Sequence, residues 1–183
     1  MNGTTGTTGA ALVHAMSRVP GPVTVVTTVD GAGRRRGFTA TSFSSLSLDP
    51  PLVLVCLSRT ASTHEAFTSA DHFLVNLLAH DQDHLALRFA RSGVDRFAEG
   101  DAAGDILPCE LGLPGSPDAC ARIACALHAV LDGGDHSILV GRVLDTHVDD
   151  DRTPLVHYDR TFTHPACALD TPNPLLSLHL ADW

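Results

Sequence analysis

Between Gly37 and Leu57 the chain reads GFTATSFSSLSLDPPLVLVCL, and no other stretch limits its fold so closely. A short β signal over Gly37–Ala40 leads into a hydroxyl-dense loop. The chain halts at Asp49-Pro50-Pro51 and restarts as an apolar strand over Leu52–Leu57. Six of the nine positions from Thr39 to Ser47 are Ser or Thr. That is too polar for a core strand and too ordered at its flanks for a linker. Hydroxyls and backbone N–H groups held between two strands can grip a phosphate or a polar ring edge without carrying charge. Ordinary turns use the same residues, because Ser and Thr mimic backbone hydrogen bonds. The loop gains meaning from what surrounds it.

The 183 residues suit one domain with a substantial core. Its apolar content of 44% is mostly aliphatic, and the formal net charge is −9. A nucleic-acid binder needs a basic footprint, and the one cationic cluster is Arg34-Arg35-Arg36 in a Gly-flanked turn. Such a turn is ordinarily solvated, although it could meet a phosphate or an acidic partner. No apolar run is long enough to span a bilayer, and the N-terminus lacks a basic n-region and a signal core, so the expected location is cytoplasmic. Five scattered cysteines, Cys56, Cys109, Cys120, Cys125 and Cys167, contain no CxxC pair and indicate neither zinc nor a disulfide framework.

Along the chain, residues 1–9 read as a disordered N-terminus. Helical spacing over Ala10–Val19 ends at Pro20-Gly21-Pro22. Val23–Val29 is a β-branched strand closed by the turn Asp30-Gly31-Ala32-Gly33. Further strands are expected at 37–40, 52–57, 72–78, 120–130, 137–148 and 155–158, with short helices at 62–69 and 81–91. Residues 92–105 read as a surface loop or lid. Many short strands with few helices predict a mainly β barrel, and no repeat or linker divides it.

The motifs of other chemistries are missing. There is no G-x-G-x-x-G after a strand, no phosphate-binding P-loop and no G-x-S-x-G. His80 and His84 have i, i+4 spacing, but Asp81 and Asp83 point elsewhere and no third ligand is near, which favours a solvated helix face. Ser62 and Thr63, in SRTASTH, follow a strand and open a helix. They serve either as an anion site or as an ordinary helix cap. His136, in GGDHSILVGRV, is either a turn residue or a hydrogen-bonding partner for a cofactor.

Taken in order, VTVVTT, GFTATSFSSLSLDPPLVLVCL, SRTASTH, FLVNLLAHDQDHLALRFA, GDHSILVGRV and PLVHYDR resemble the signature of the short-chain flavin reductases over residues 10–162. Within that family the chain looks most similar to actinobacterial reductases serving monooxygenases of aromatic polyketide pathways. The resemblance implies an FMN-binding split barrel, a Greek-key-like six-stranded barrel with a few short peripheral helices. It implies a homodimer with flavin near the subunit interface. The barrel would occupy residues 10–165, with 166–183 as a C-terminal tail.

The same resemblance places flavin contacts at Thr39, Ala40, Thr41 and Ser42, and at Cys56, Leu57 and Ser58. It puts phosphate contacts at Ser62 and Thr63, with Phe89 and Ala90 closing the site. The nicotinamide cofactor would lie near His136 and around Tyr158, Asp159 and Arg160. Two departures stand out: Thr41 where relatives often carry Asn, and Thr-Phe after Arg160 where a tyrosine is common. The implied activity is an NAD(P)H-dependent flavin reductase that moves a hydride from NADH to FMN or FAD. It would supply free reduced flavin to a separate flavin-dependent monooxygenase. A non-catalytic flavin carrier, sensor or electron-transfer protein of the same fold is the alternative. Placement of two stacked rings would carry such catalysis, so no acid/base dyad is required.

Overall fold

The computed structural model describes residues 5–98 and 104–165. Helix α1 (Thr5–Ser17) is followed by a short strand β1 (Gly21–Pro22) and by β2 (Thr24–Val29). Then come β3 (Arg35–Ala40), β4 (Ser44–Leu48), β5 (Pro51–Ser58), helix α2 (His64–Thr68), β6 (His72–Leu77) and helix α3 (Asp83–Ala90). After β7 (Leu107–Pro108) and β8 (Pro114–Gly115), two 13-residue strands, β9 (Ala121–Gly133) and β10 (His136–Val148), form a long hairpin. Strands β11 (Val156–Tyr158) and β12 (Thr161–Thr163) close the described chain.

Seven strands make one antiparallel sheet in the order β3-β2-β6-β9-β10-β5-β4. The β-branched run TVVTTV suits its central position in β2, where five of six residues are buried. Strands near opposite ends of the sheet share one core: Val26 and Phe38 meet Val55, Leu57, Phe73 and Leu139. The sheet is therefore curled on itself into a barrel. Phe67 of α2 plugs one end, its ring edge-on to Phe38 at 4.8 Å. Full burial of each such side chain contributes about 1.5–3 kcal/mol.

The outer face of β2 is covered by α3, whose Leu85, Ala86 and Phe89 pack on Val23 and Val25. This apolar contact sets α3 alongside the hydroxyl-rich end of β3, where Thr39 Oγ1 donates to the Ala86 carbonyl at 2.6 Å. Buried polar groups hold the segment after β8. Asn76 donates to the Val25 carbonyl and accepts from the Ser116 N–H, both at 2.9 Å, while Gln82 donates to Ser116 Oγ at 2.7 Å. Arg122 and Glu110 form a nearly buried ion pair at 2.9 Å. Burial pushes the Glu110 carboxyl up, but hydrogen bonding and the charge of Arg122 outweigh it and hold it below its ordinary value.

The structure revises several sequence expectations. The hydroxyl loop is shorter than expected, because Ser44–Leu48 pairs with β5 as an edge strand. An edge strand has one exposed flank, so its serines need no core environment. The main sheet has seven strands instead of six for the same reason. Helix α1 starts at Thr5, inside the stretch expected to be disordered; its glycines lower helix propensity without forbidding a turn. The β9–β10 turn is tight, with Gly133 paired to His136 and Gly134 at φ +80°, where a Cβ would be strained. Residues 92–98 are not merely surface, since Phe97 is buried against Phe89. The C-terminal tail, 166–183, and Cys167 lie outside the described residues.

Candidate functional site

Where β3 and β5 end beside α3, a cavity of about 480 Å³ opens. Its walls are residues 38–42, 56–58 and 60–63, then Phe89 and Ala90, Ser92, Gly93 and Arg96, and His136 at the rim. Every residue expected from the sequence to touch a cofactor lines this one cavity, except Tyr158, Asp159 and Arg160.

The site forms where pairing of the barrel strands stops. Ser42 Oγ accepts the Cys56 N–H at 2.9 Å and so pins the loop after β3 to β5. Ser58 Oγ and Thr60 Oγ1 lie 3.0 Å apart and order the turn that carries Ala61, Ser62 and Thr63. Some of the hydroxyls foreseen as ligand contacts thus spend one bond on the protein itself. Thr63 is different. It occupies the N-cap position of α2 with φ −98° and ψ −4° and makes no capping bond. Its side-chain oxygen is buried, and among the described residues it has no hydrogen-bond partner. The helix-cap reading of Thr63 therefore fails, while α2, five residues long, is too short to supply a strong dipole.

Two basic side chains border the cavity, Arg96 and His136. Arg96 donates from Nη1 to the Gly37 carbonyl at 2.5 Å and from Nε to the Arg91 carbonyl at 2.8 Å. Both partners are neutral, so these bonds orient its charge without neutralising it, and burial lowers its pKa from the ordinary arginine value. His136 is oriented by Asp135, with Nδ1 2.7 Å from the carboxylate. That hydrogen bond, with the charge of His136, holds the Asp135 carboxyl below its ordinary value. Arg59 clamps the same turn to the end of β5, donating its N–H to the Asp135 carbonyl and pairing with Asp132, both at 3.0 Å.

The arrangement suits an elongated ligand with an apolar ring face and an anionic end. Phe38, Leu57 and Phe89 supply apolar wall; the hydroxyls and Arg96 supply donors. Although Asp135 and His136 resemble two thirds of a hydrolytic triad, Ser58 is bonded to Thr60. His64 Nε2 lies 2.9 Å from Ser137 Oγ and ties α2 to β10.

Tyr158, Asp159 and Arg160 are not brought together with His136. They form the tight β11–β12 turn, with Asp159 and Arg160 at positive φ. Asp159 pairs with Arg18 at 2.9 Å, and the Arg18 guanidinium sits 5.2 Å from the Tyr158 ring centroid. Arg160 borders a second, apolar groove with Leu12, Met16 and Phe43, which meets the main cavity at Thr41 and Ser42. Sequence reasoning missed Arg96, since nothing separates it locally from the other arginines. The triplet Arg-Phe-Ala after Val94-Asp95 offers only a buried phenylalanine as a clue.

His80 and His84 do not share a helix face: His80 precedes α3 and meets His164 edge-on at 5.6 Å, while His84 faces Asp105 at 3.7 Å. Cys56, Cys109, Cys120 and Cys125 are free thiols, and burial pushes Cys125 up to about 12.

Residues 16–166 match the family model described as the flavin reductase like domain. The chain is 44% identical over 153 residues to NADH:riboflavin 5′-phosphate oxidoreductase of Streptomyces pristinaespiralis, covering 82% of this chain and 85% of the relative. It is 43% identical over 151 residues to actinorhodin polyketide dimerase of Streptomyces coelicolor, covering 82% and 83%. Among solved structures it is similar to the Streptomyces globisporus NADH:FAD oxidoreductase in complex with NAD and FAD fragments. The TM-score is 0.82 at 33% identity, over 93% of this chain and all of that one (100%). The flavin reductase component of a bacterial two-component tryptophan halogenase matches with a TM-score of 0.77 at 36% identity, covering 85% and 97%.

Proposed function

Because the chain belongs to the flavin reductase-like domain family, we propose that it is an NAD(P)H-dependent flavin reductase that reduces FMN or FAD with NADH and passes free reduced flavin to a separate oxygenase. The observation that carries this reading is the buried Thr63 hydroxyl, without a partner among the described residues, on the wall of a hydroxyl-lined cavity that also holds the cation of Arg96. A buried hydroxyl without a partner is costly unless a ligand completes it. A flavin's ribityl phosphate is such a ligand, and the cavity's mixture of apolar wall and neutral donors fits the rest of the molecule.

Bound flavin supplies the hydride acceptor, and its chemistry is its own. Ser62, Thr63 and Arg96 hold the phosphate end. Residues 39–42 and 56–58 line the ring, where backbone N–H groups and neutral hydroxyls orient it and favour the charge it gains on reduction. Phe89 and Ala90 exclude water from one side. His136, steadied by Asp135, receives the nicotinamide nucleotide at the rim. Arg160 lines the adjoining groove, which meets the cavity at Thr41 and Ser42, so its contact with the nucleotide would run past those two residues.

The assembly is a homodimer in this proposal. Supporting it, α1 and its exit expose Leu12 at 61%, Val13 at 59% and Met16 at 55%, and the edge strand β4 exposes Leu48 at 64%. No helix among the described residues is long and apolar enough to cross a membrane, and we place the protein in the cytoplasm. Kinetics of His136→Ala test the nicotinamide assignment. The KM for NADH should rise more than the KM for flavin, and the reverse pattern would remove His136 from that role.

A further inference from the structure

Helix α2 is a weak element in its own right, yet the residue at its start carries the hydroxyl on which the flavin reading depends. Its five residues fall far short of the about 12–15 at which an isolated helix becomes stable in water. Thr63, at the N-cap position, adds no capping bond. Other hydrogen bonds here stay within the segment. Thr68 Oγ1 donates to the His64 carbonyl at 3.1 Å and Ser69 Oγ to the Glu65 carbonyl at 2.7 Å. In the turn before the helix, the His64 N–H donates to the Ala61 carbonyl at 2.9 Å. Such bonds give the segment its shape without fixing where it sits on the barrel. Phe67 does fix one point, buried in the core with its ring against Phe38. Apolar burial has no direction of its own, so a second tie must set where the N-terminal end of α2 points.

His64 supplies that tie, through Nε2 at 2.9 Å from Ser137 Oγ. Either tautomer serves, because the serine hydroxyl can donate to a bare ring nitrogen or accept from a ring N–H. Ser137 is buried on β10, where it lies opposite Leu57 of β5 on one side and Asp132 of β9 on the other. Neither His64 nor Ser137 lines the cavity, but each is the chain neighbour of a residue that does. His64 follows Thr63, and Ser137 follows His136. One hydrogen bond therefore joins the phosphate end of the site to its nucleotide rim.

The two ends of this bond are unequally held. His136 stands on a strand paired along both edges. Its turn is clamped by Arg59, which donates its N–H to the Asp135 carbonyl and pairs with Asp132, both at 3.0 Å. Thr63 has only the short helix behind it. When the bond is lost, the α2 end moves and the β10 end stays. We infer that His64 is a positioning residue for the flavin phosphate: braced on Ser137, it holds the Thr63 hydroxyl at the cavity wall without touching the ligand. The inference rests on the flavin reading above and deepens it, since it names what aims the hydroxyl that has no partner among the described residues.

Calorimetric titration of FMN and riboflavin into the full chain and into His64→Phe, His64→Gln and Ser137→Ala tests it. Phenylalanine keeps a ring and loses the nitrogen, alanine removes the serine hydroxyl, and glutamine keeps an amide that can reach Ser137. His64→Phe and Ser137→Ala should each weaken FMN by about three- to tenfold, the scale of one neutral hydrogen bond. Riboflavin, without the phosphate, should bind both variants as it binds the parent. The double variant should lose no more than either single one, because the same bond is removed only once. His64→Gln should recover most of the FMN affinity. In turnover at saturating flavin the KM for NADH should hold at the parent value, while the KM for FMN rises. Ser137→Ala, which deletes a single oxygen, carries the test if the phenylalanine variant fails to fold. Equal losses of FMN and riboflavin would make the bond structural only, and additive losses in the double variant would uncouple the two residues. Unchanged FMN affinity would remove His64 from the site, and a KM for NADH that rises with that for FMN would put the effect at His136. Each of these overturns the inference and leaves flavin binding standing, whereas a parent chain that binds neither flavin removes both readings.

Discussion

Replacing Thr63 by valine separates a ligand-binding hydroxyl from a structural one, because the two roles predict effects of opposite sign. Thr63 is 4% exposed and its hydroxyl has no partner among the described residues. In the ligand-free protein a buried, unsatisfied hydroxyl costs about 1–3 kcal/mol. Valine keeps the shape and removes the polar group, so Thr63→Val should leave the ligand-free protein as stable or make it more so. For a chain of this size each kcal/mol moves the melting temperature by roughly 2–4 °C. With flavin present the substitution removes a hydrogen bond to a charged phosphate, worth about 1.5–3 kcal/mol. The dissociation constant for FMN should therefore rise by about ten- to 150-fold. Riboflavin, which lacks the phosphate, should bind the variant and the parent alike. Thermal melts without ligand, paired with flavin titrations, give both numbers. A lower melting temperature in the ligand-free variant with unchanged FMN affinity would refute the reasoning, since the hydroxyl would then have a partner inside the protein.

Three further outcomes follow from the geometry. Arg96→Met should weaken FMN about tenfold or more while sparing riboflavin, because the loss is one charge-assisted contact to phosphate; equal losses for both ligands in titration would make Arg96 purely structural. Cys56 lines the cavity and Cys109 does not, so flavin should slow iodoacetamide labelling of Cys56 and leave Cys109 unaffected, as read by peptide mass spectrometry. Gly141→Ala would place a Cβ 2.5 Å from Phe73 Cζ and 2.8 Å from Cys125 Cβ. Such overpacking inside the barrel should cost about 1–3 kcal/mol in denaturant unfolding, and an unchanged midpoint would show that the core yields there.

Much of the barrel could be read from the sequence because its strands are bounded by strong local signals. The β-branched run of β2, the Asp-Pro-Pro break before β5 and the Gly-Gly turn between β9 and β10 each act within a few residues. Strand β4 escaped notice because an edge strand can be as polar as a loop, and Ser44 and Ser45 say nothing of which neighbour they pair with. Residues 39–42 and 56–58, with Ser62 and Thr63, could be picked out through the family resemblance and line one cavity, because each lies at the end of a recognisable strand or at a helix start. Arg96 could not be, since its position depends on Phe97 docking against Phe89 and on the carbonyl of Gly37, contacts far apart in the chain. Tyr158, Asp159 and Arg160 show the converse. Their motif is continuous in sequence, yet the turn they build is tied to Arg18 and the end of α1, outside the cavity.

Anaerobic oxidation of NADH by the purified chain, with and without an excess of FMN or FAD, tests the central claim most directly. The account predicts saturable NADH consumption that requires added flavin, with reduced flavin accumulating free in solution in many-fold excess over protein. Flavin that binds in the cavity while NADH remains intact would contradict it.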